Sequence, residues 1–154
     1  MKRRSLALLL ILALIACNRA PDTGKVGQRL EYKGFALTVT AVEFGDDFAG
    51  ARKARAGYTL ATVEILVENP GGRAGAHWDP EHARLVERSN GDVNKHRTQG
   101  RTPVLGARLD IPQGELLRGW LTFEVPDRAR ALTFVYETPR AFDNVKLSVD
   151  IDKK

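Results

Sequence analysis

His77-Trp78-Asp79-Pro80-Glu81-His82 sets two imidazoles and two carboxylates within six residues. Such side chains suit Zn or Cu. His77, Asp79 and His82 are therefore the set to weigh for a metal-dependent module or enzyme. Their spacing is not the i, i+4 histidine pair of a helix-borne site. A polar loop turned by Asp-Pro is the simpler expectation, and the metal reading stands as its alternative. Nucleophiles are scarce: beyond residue 16 the only serines are Ser89 and Ser148. Ser89 lies in a turn-favouring Arg-Ser-Asn-Gly-Asp stretch, Ser148 on a polar strand face, and neither has a Gly-x-Ser-x-Gly context. Asp46-Asp47 offers two adjacent carboxylates, whereas Ca²⁺ takes about six to eight oxygens. The expectation is a protein that is not an enzyme and carries no cofactor.

The single cysteine, Cys17, follows a basic start (Lys2, Arg3, Arg4) and an apolar run from Leu6 to Ala16. That run is too short for a bilayer-spanning helix, which needs roughly 20 residues. A basic start, a short apolar stretch and small residues before a break mark a secretory signal peptide, here residues 1–16, a helix to be cleaved. Leu14-Ile15-Ala16-Cys17 also resembles the lipobox of bacterial lipoproteins. The resemblance implies a cut before Cys17, a diacylglycerol thioether on its sulfur and an N-acyl chain such as palmitate. One acyl chain binds a membrane marginally, whereas two or more anchor stably. With Cys17 lipidated no thiol is left, so disulfide scaffolds and cysteine metal sites are excluded by count. Where a cell has two membranes, Asn18 rather than Asp after the cysteine implies, by analogy with lipoprotein sorting, the outer one.

Loss of residues 1–16 also changes the charge. Lys plus Arg falls from 24 to 21 against 19 Asp plus Glu, so the net charge drops from +5 to +2. Much of the basicity belongs to the signal, and nucleic acid is not an expected partner. Arg52, Lys53 and Arg55 form one short basic cluster. Near a membrane surface each such charge is worth about 1 kcal/mol toward anionic lipid, but a solvated loop is the simpler reading. The aromatics are the stronger binding hint, because Trp is enriched at interface hot spots. Trp120 is expected to share a sheet face with Thr122 and Glu124, away from Leu121 and Phe123. Trp78 is the second candidate for partner contact.

Positioning these groups falls to β-strands. Phe35, Leu37, Val39 and Ala41 share one alternating face, and so do Ala61, Val63, Ile65 and Val67. Leu117, Gly119, Leu121, Phe123 and Val125 form a third such face, and Val145, Leu147, Val149 and Ile151 a fourth. Period-two alternation marks half-buried strands. Weaker strands are expected at 29–33, 83–88, 104–111 and 131–136. Asn90-Gly91 suits a two-residue hairpin turn, and short helical turns fit near 79–83 or 48–56. Gly119 inside its strand signals a bulge or a close backbone approach. Seven to eight strands without a long helical period predict an all-β, antiparallel sandwich. The organisation expected is a signal peptide (1–16), a lipidated Cys17 with a flexible tether (17–25) and one β-sandwich domain (26–154).

Three segments carry a family resemblance: Gly57–Gly71 (GYTLATVEILVENPG), Leu109–Pro126 (LDIPQGELLRGWLTFEVP) and Ala131–Tyr136 (ALTFVY). The matching positions are Tyr58, Val63 and Asn69, then Pro112, Gly114, Gly119, Phe123, Val125 and Pro126, then Leu132 and Tyr136. Together they resemble the telokin-like, immunoglobulin-like domain of unknown function found in many bacterial lipoproteins and secreted antigens, over roughly residues 27–150. The resemblance implies an immunoglobulin-like sandwich in the cell envelope, anchored to a membrane and facing the periplasm or exterior. It implies no activity. An envelope protein, a glycan or a small ligand is the expected partner, and oligomeric state is left open.

Overall fold

The structure, a computed structural model, describes residues 23–48, 53–71, 76–97, 100–138 and 145–153. The expected signal segment, Cys17 and Arg52 lie outside the described residues. Eleven strands form: β1 (Thr23–Lys25), β2 (Arg29–Tyr32), β3 (Phe35–Gly45), β4 (Tyr58–Glu68), β5 (Ala76–Trp78), β6 (Ala83–Glu87), β7 (Val93–Arg97), β8 (Leu109–Ile111), β9 (Leu116–Pro126), β10 (Ala131–Glu137) and β11 (Lys146–Asp152). A 3-10 turn, Pro80–His82, leads into β6.

The three longest strands lie side by side. β4 pairs antiparallel with β3 on one flank and β9 on the other. Their alternation turns Ala61, Val63, Ile65 and Val67 inward with no exposure, opposite Leu121, Phe123 and Val125. On β3 the inward face runs Phe35, Leu37, Val39 and then shifts, because a bulge falls between Val39 and Ala41. Beyond it Val42 and Phe44, not Ala41, pack against the core. An extra residue in one strand of a pair reverses which side chains face inward.

The opposing layer is β1, β11, β10 and β6, with β1 parallel to β11 and the other pairs antiparallel. Val145, Leu147, Val149 and Ile151 are buried. Phe134 of β10 meets Phe123 of β9 edge-to-face across the layers, ring centres 6.2 Å apart. β7 joins the layers: Val93–Lys95 pair with β6, while His96 and Arg97 pair with β9. Sheet order therefore runs unbroken from β1 to β2, and the sheet folds over into a β-sandwich. β5 and β8 form a separate two-stranded ribbon.

Several expectations are revised. Among the described residues the strands number eleven, where seven to eight were expected. β1 takes Thr23–Lys25 from the segment read as tether, and Gly24 is buried there because a Cβ would stand 2.8 Å from Leu30 Cδ2. Residues 104–111 are not one strand: Val104 makes a single bridge to Trp120, and only Leu109–Ile111 forms β8. β7 went unseen because Val93-Asn94-Lys95-His96-Arg97 carries little apolar alternation. Asn90-Gly91 belongs to a longer loop closed by Gly91 N–H to Glu87 O, and only Gly91 has positive φ. The two-residue hairpin turn is instead Lys33-Gly34, with φ of 50° and 74°, as that turn type demands.

Register sorts the loops into two ends. Thr23 lies beside Ser148, and the β2–β3 turn, the end of β4 and the start of β9 sit at that same end. Gly57, the 88–91 loop, Asp127 and Asp152 lie at the other.

Candidate functional site

The sequence His77 to His82 folds as a structural corner at the β1 end. Trp78 is fully buried, and its indole Nε1 donates to Leu105 O at 3.1 Å. Its ring stacks on Tyr136 at 4.8 Å and 10°, and the other face of Tyr136 stacks on Phe35 at 5.1 Å and 6°. The Tyr136 hydroxyl accepts from Asp79 N–H at 3.2 Å and lies 3.3 Å from His77 O, to which it donates. Burial pushes this phenol up to about 12. It is a neutral hydrogen-bonding group here, not a proton-transfer group near neutrality.

The three residues of the metal alternative are each engaged separately. Asp79 Oδ1 caps the 3-10 turn by accepting from Glu81 N–H at 3.0 Å, while Oδ2 pairs with Arg108 Nε at 2.8 Å. His77 is exposed and its Nδ1 lies 2.7 Å from Asp110. His82 turns inward, edge-on to Tyr136, and its buried Nδ1 has no partner among the described residues. A strand sends alternate side chains to opposite faces, so His77 and Trp78 part company at the outset. No group of three His, Cys, Asp or Glu is placed to hold a metal among the described residues.

Trp120 does lie on the outer face of the long sheet, as its register predicts. It is only 8% exposed. The chain from Gly100 to Leu105 crosses over it. Trp120 N–H donates to Pro103 O at 2.8 Å, Leu105 N–H donates to Trp120 O at 3.0 Å, and the Arg101 guanidinium sits 4.2 Å over the indole. Gly119 permits this approach: a Cβ there would stand 2.8 Å from Pro103 O. Both tryptophans are thus engaged within the domain. Trp78 is sealed in the core, and Trp120 is roofed by its own loop.

Around that roof the outer face is a lattice of ion pairs. Glu64 accepts from Arg118 Nε and Nη2 at 3.0 and 2.9 Å and from Thr40 Oγ1 at 2.6 Å. The bidentate guanidinium, then the hydroxyl, hold the Glu64 carboxyl below its ordinary value. Arg101 pairs with Glu43, and Arg97 with Glu124 at 3.1 Å. Of the basic cluster, Lys53 is exposed. Arg55 is engaged: its N–H donates to Glu124 at 2.8 Å, and its guanidinium lies 3.7 Å over Tyr58.

Sequence reasoning missed Tyr136, Glu64, Arg101 and Arg118 as organising residues. The available signal was weak, because opposite charges on different strands mean nothing until register places them. Glu64 faces Trp120 directly, so Arg118 is its diagonal neighbour, within reach of a long side chain. At the end away from β1, Gly57, Tyr58, Asp92, Pro126, Asp127 and Arg128 line an open cleft of about 350 Å³. Its mixed charges, two Asp and one Arg, mark no particular chemistry.

Similarity to solved structures agrees with this architecture. A proposed lipoprotein (ycdA) of Bacillus subtilis subsp. subtilis str. 168 superposes with a TM-score of 0.65 at 13% identity, over 80% of this chain and 38% of that one. The chain thus spans well under half the length of that relative. The secreted protein MPT63 of Mycobacterium tuberculosis gives 0.60 at 16% identity, covering 85% of this chain and 96% of its own. A β-sandwich protein of Clostridium difficile 630 gives 0.52 at 10%, covering 84% and 93%. At these identities the likeness is one of fold. No curated protein matches the chain. Residues 24–146 match the family described as Domain of unknown function (DUF4352), and the chain belongs to that family.

Proposed function

We propose that this protein is a lipid-anchored, extracytoplasmic β-sandwich that works by binding rather than by catalysis. The observation that carries the reading is the N-terminal sequence: a basic start, an apolar run and Leu14-Ile15-Ala16-Cys17. The first described strand begins at Thr23, six residues after Cys17. The structural neighbours give support of a coarser kind, one being a proposed lipoprotein and one a secreted protein. The non-catalytic part rests on the fate of the reactive side chains. His77, Asp79 and Tyr136 hold the β5 corner together, and Ser89 donates to Glu87. The partner class is an envelope protein or ligand, met through surfaces other than the two tryptophans.

Replacing the cysteine tests the anchor. In bacterial cells Cys17→Ser is expected to abolish incorporation of labelled palmitate and to leave an unprocessed precursor of higher mass. Acylation that persists in the variant would refute the assignment.

A further inference from the structure

The position of β1 sets how an anchored chain must stand. We propose that the end of the sandwich at which β1 begins rests against the bilayer headgroups, with Leu116 and the Tyr32–Lys33 turn toward the lipid. The 88–91 loop and the cleft at Gly57 and Asp127 then point away from the membrane. This inference deepens the reading above and rests on acylation at Cys17.

The leash is short. Five residues, Asn18 to Asp22, separate Cys17 from Thr23. Six chain steps span at most about 22 Å even fully extended. β4, with its 11 residues, is about 35 Å long at ~3.3 Å per residue. An upright sandwich therefore holds its far loops a strand length beyond the point where the leash arrives.

Thr23 is also held firmly at that end. β1 registers Thr23 with Ser148, Gly24 with Val149 and Lys25 with Asp150. Gly24 is buried against Leu30, so no larger residue fits there without displacement. The chain turns after Lys25 and returns through β2, which places Tyr32 and Lys33 beside the entry point.

The groups at this end suit a headgroup layer. Leu116 is 57% exposed. Lys33 is exposed, and its ammonium sits 5.2 Å over the Tyr32 ring. Leu116 on β9 is separated by β4 and β3 from Tyr32 on β2 at this same end, and an aromatic ring and a cation sharing an end with an apolar side chain suit a membrane–water boundary. Glu31, on the same hairpin, pairs at 2.6 Å with Arg29, which also pairs with Glu68 at 2.9 Å. The occupant is a lipid surface, because the leash delivers one there whatever else the protein meets.

The test uses the full chain, recovered from cells and placed in phosphatidylethanolamine–phosphatidylglycerol vesicles doped with headgroup-nitroxide lipid. Acylated Cys17 has no free thiol, so an introduced cysteine is unique. Leu116→Cys reports on the β1 end and Ser89→Cys on the far end, each carrying a thiol-reactive fluorophore. Quenching about threefold greater at 116 than at 89 is expected, the sites being a strand length apart. Equal quenching would mean that the domain lies on its side, and greater quenching at 89 that it is inverted. Either result overturns the orientation. The parent chain without an added cysteine separates the two claims. If it takes up the label, Cys17 is a free thiol, and the anchor fails together with the orientation. If it stays unlabelled, only the orientation is at stake.

Discussion

Trp78 and Trp120 are the same side chain in opposite circumstances. Trp78 is wedged between layers, stacked on Tyr136, with its one polar atom satisfied by Leu105 O. Trp120 lies on the outer face, under a loop and a guanidinium that itself pairs with Glu43. The first is held by burial and packing, which solvent does not weaken. The second is held by a removable cover and by charges that water and salt screen. A buried aromatic and a covered one look alike in exposure, yet they differ in what it takes to release them.

The largest effect is expected at the core. Trp78→Ala removes the stack on Tyr136 and opens a void, so a loss of about 3–5 kcal/mol in chemical denaturation fits a large aromatic truncation. A loss below 1 kcal/mol would equate the two tryptophans and break the distinction. Gly119→Ala attacks the cover instead. Its Cβ meets Pro103 O at 2.8 Å, and such overpacking costs about 1–3 kcal/mol. The displaced loop should also shift Trp120 fluorescence to the red, while unchanged emission would mean that the roof does not depend on this glycine.

Arg101→Ala should cost less, about 0.5–1 kcal/mol, the usual scale of a cation–π contact at a partly exposed site. Its signature is greater collisional quenching of Trp120 by acrylamide, with Trp78 left in place. The smallest effect is electrostatic. Glu64 is held below its ordinary value chiefly by Arg118. Folding therefore favours the charged carboxylate. Its contribution is complete at neutral pH and disappears as pH falls through the glutamate range. Glu64→Gln should flatten the acid limb of a stability–pH curve below about pH 4.5. An unchanged limb would locate the acid sensitivity elsewhere.

Much of the sandwich was legible because alternation is a local property. The faces of β4, β9 and β11 follow from their own residues, and all three pack into the core as read, with Leu117 partly buried. Gly119 was legible as either a bulge or a close approach, and only the fold shows that Pro103 approaches it. The misreadings share a cause, which is that partners come from distant strands. Nothing in Val93–Arg97 announces that it will carry the sheet from one layer to the other. Nothing near Trp120 reveals that Arg101 will cover it. His77, Asp79 and His82 looked like one cluster because they are close along the chain, but distant partners engage them separately: Asp110 at His77, Arg108 at Asp79 and Tyr136 at His82.

By itself the sequence determined the class of fold, through apolar periodicity of two. It also supplied the feature on which the location reading rests, the short apolar run ending at Cys17. Both are encoded in contiguous residues. The tertiary structure decided which polar and aromatic groups are free. It bound both tryptophans, divided the histidines, paired Glu64 with Arg118 and fixed the end at which the chain enters. Those outcomes depend on strand register and loop crossings, which are set by residues dozens of positions apart and so are written in no single stretch of the chain.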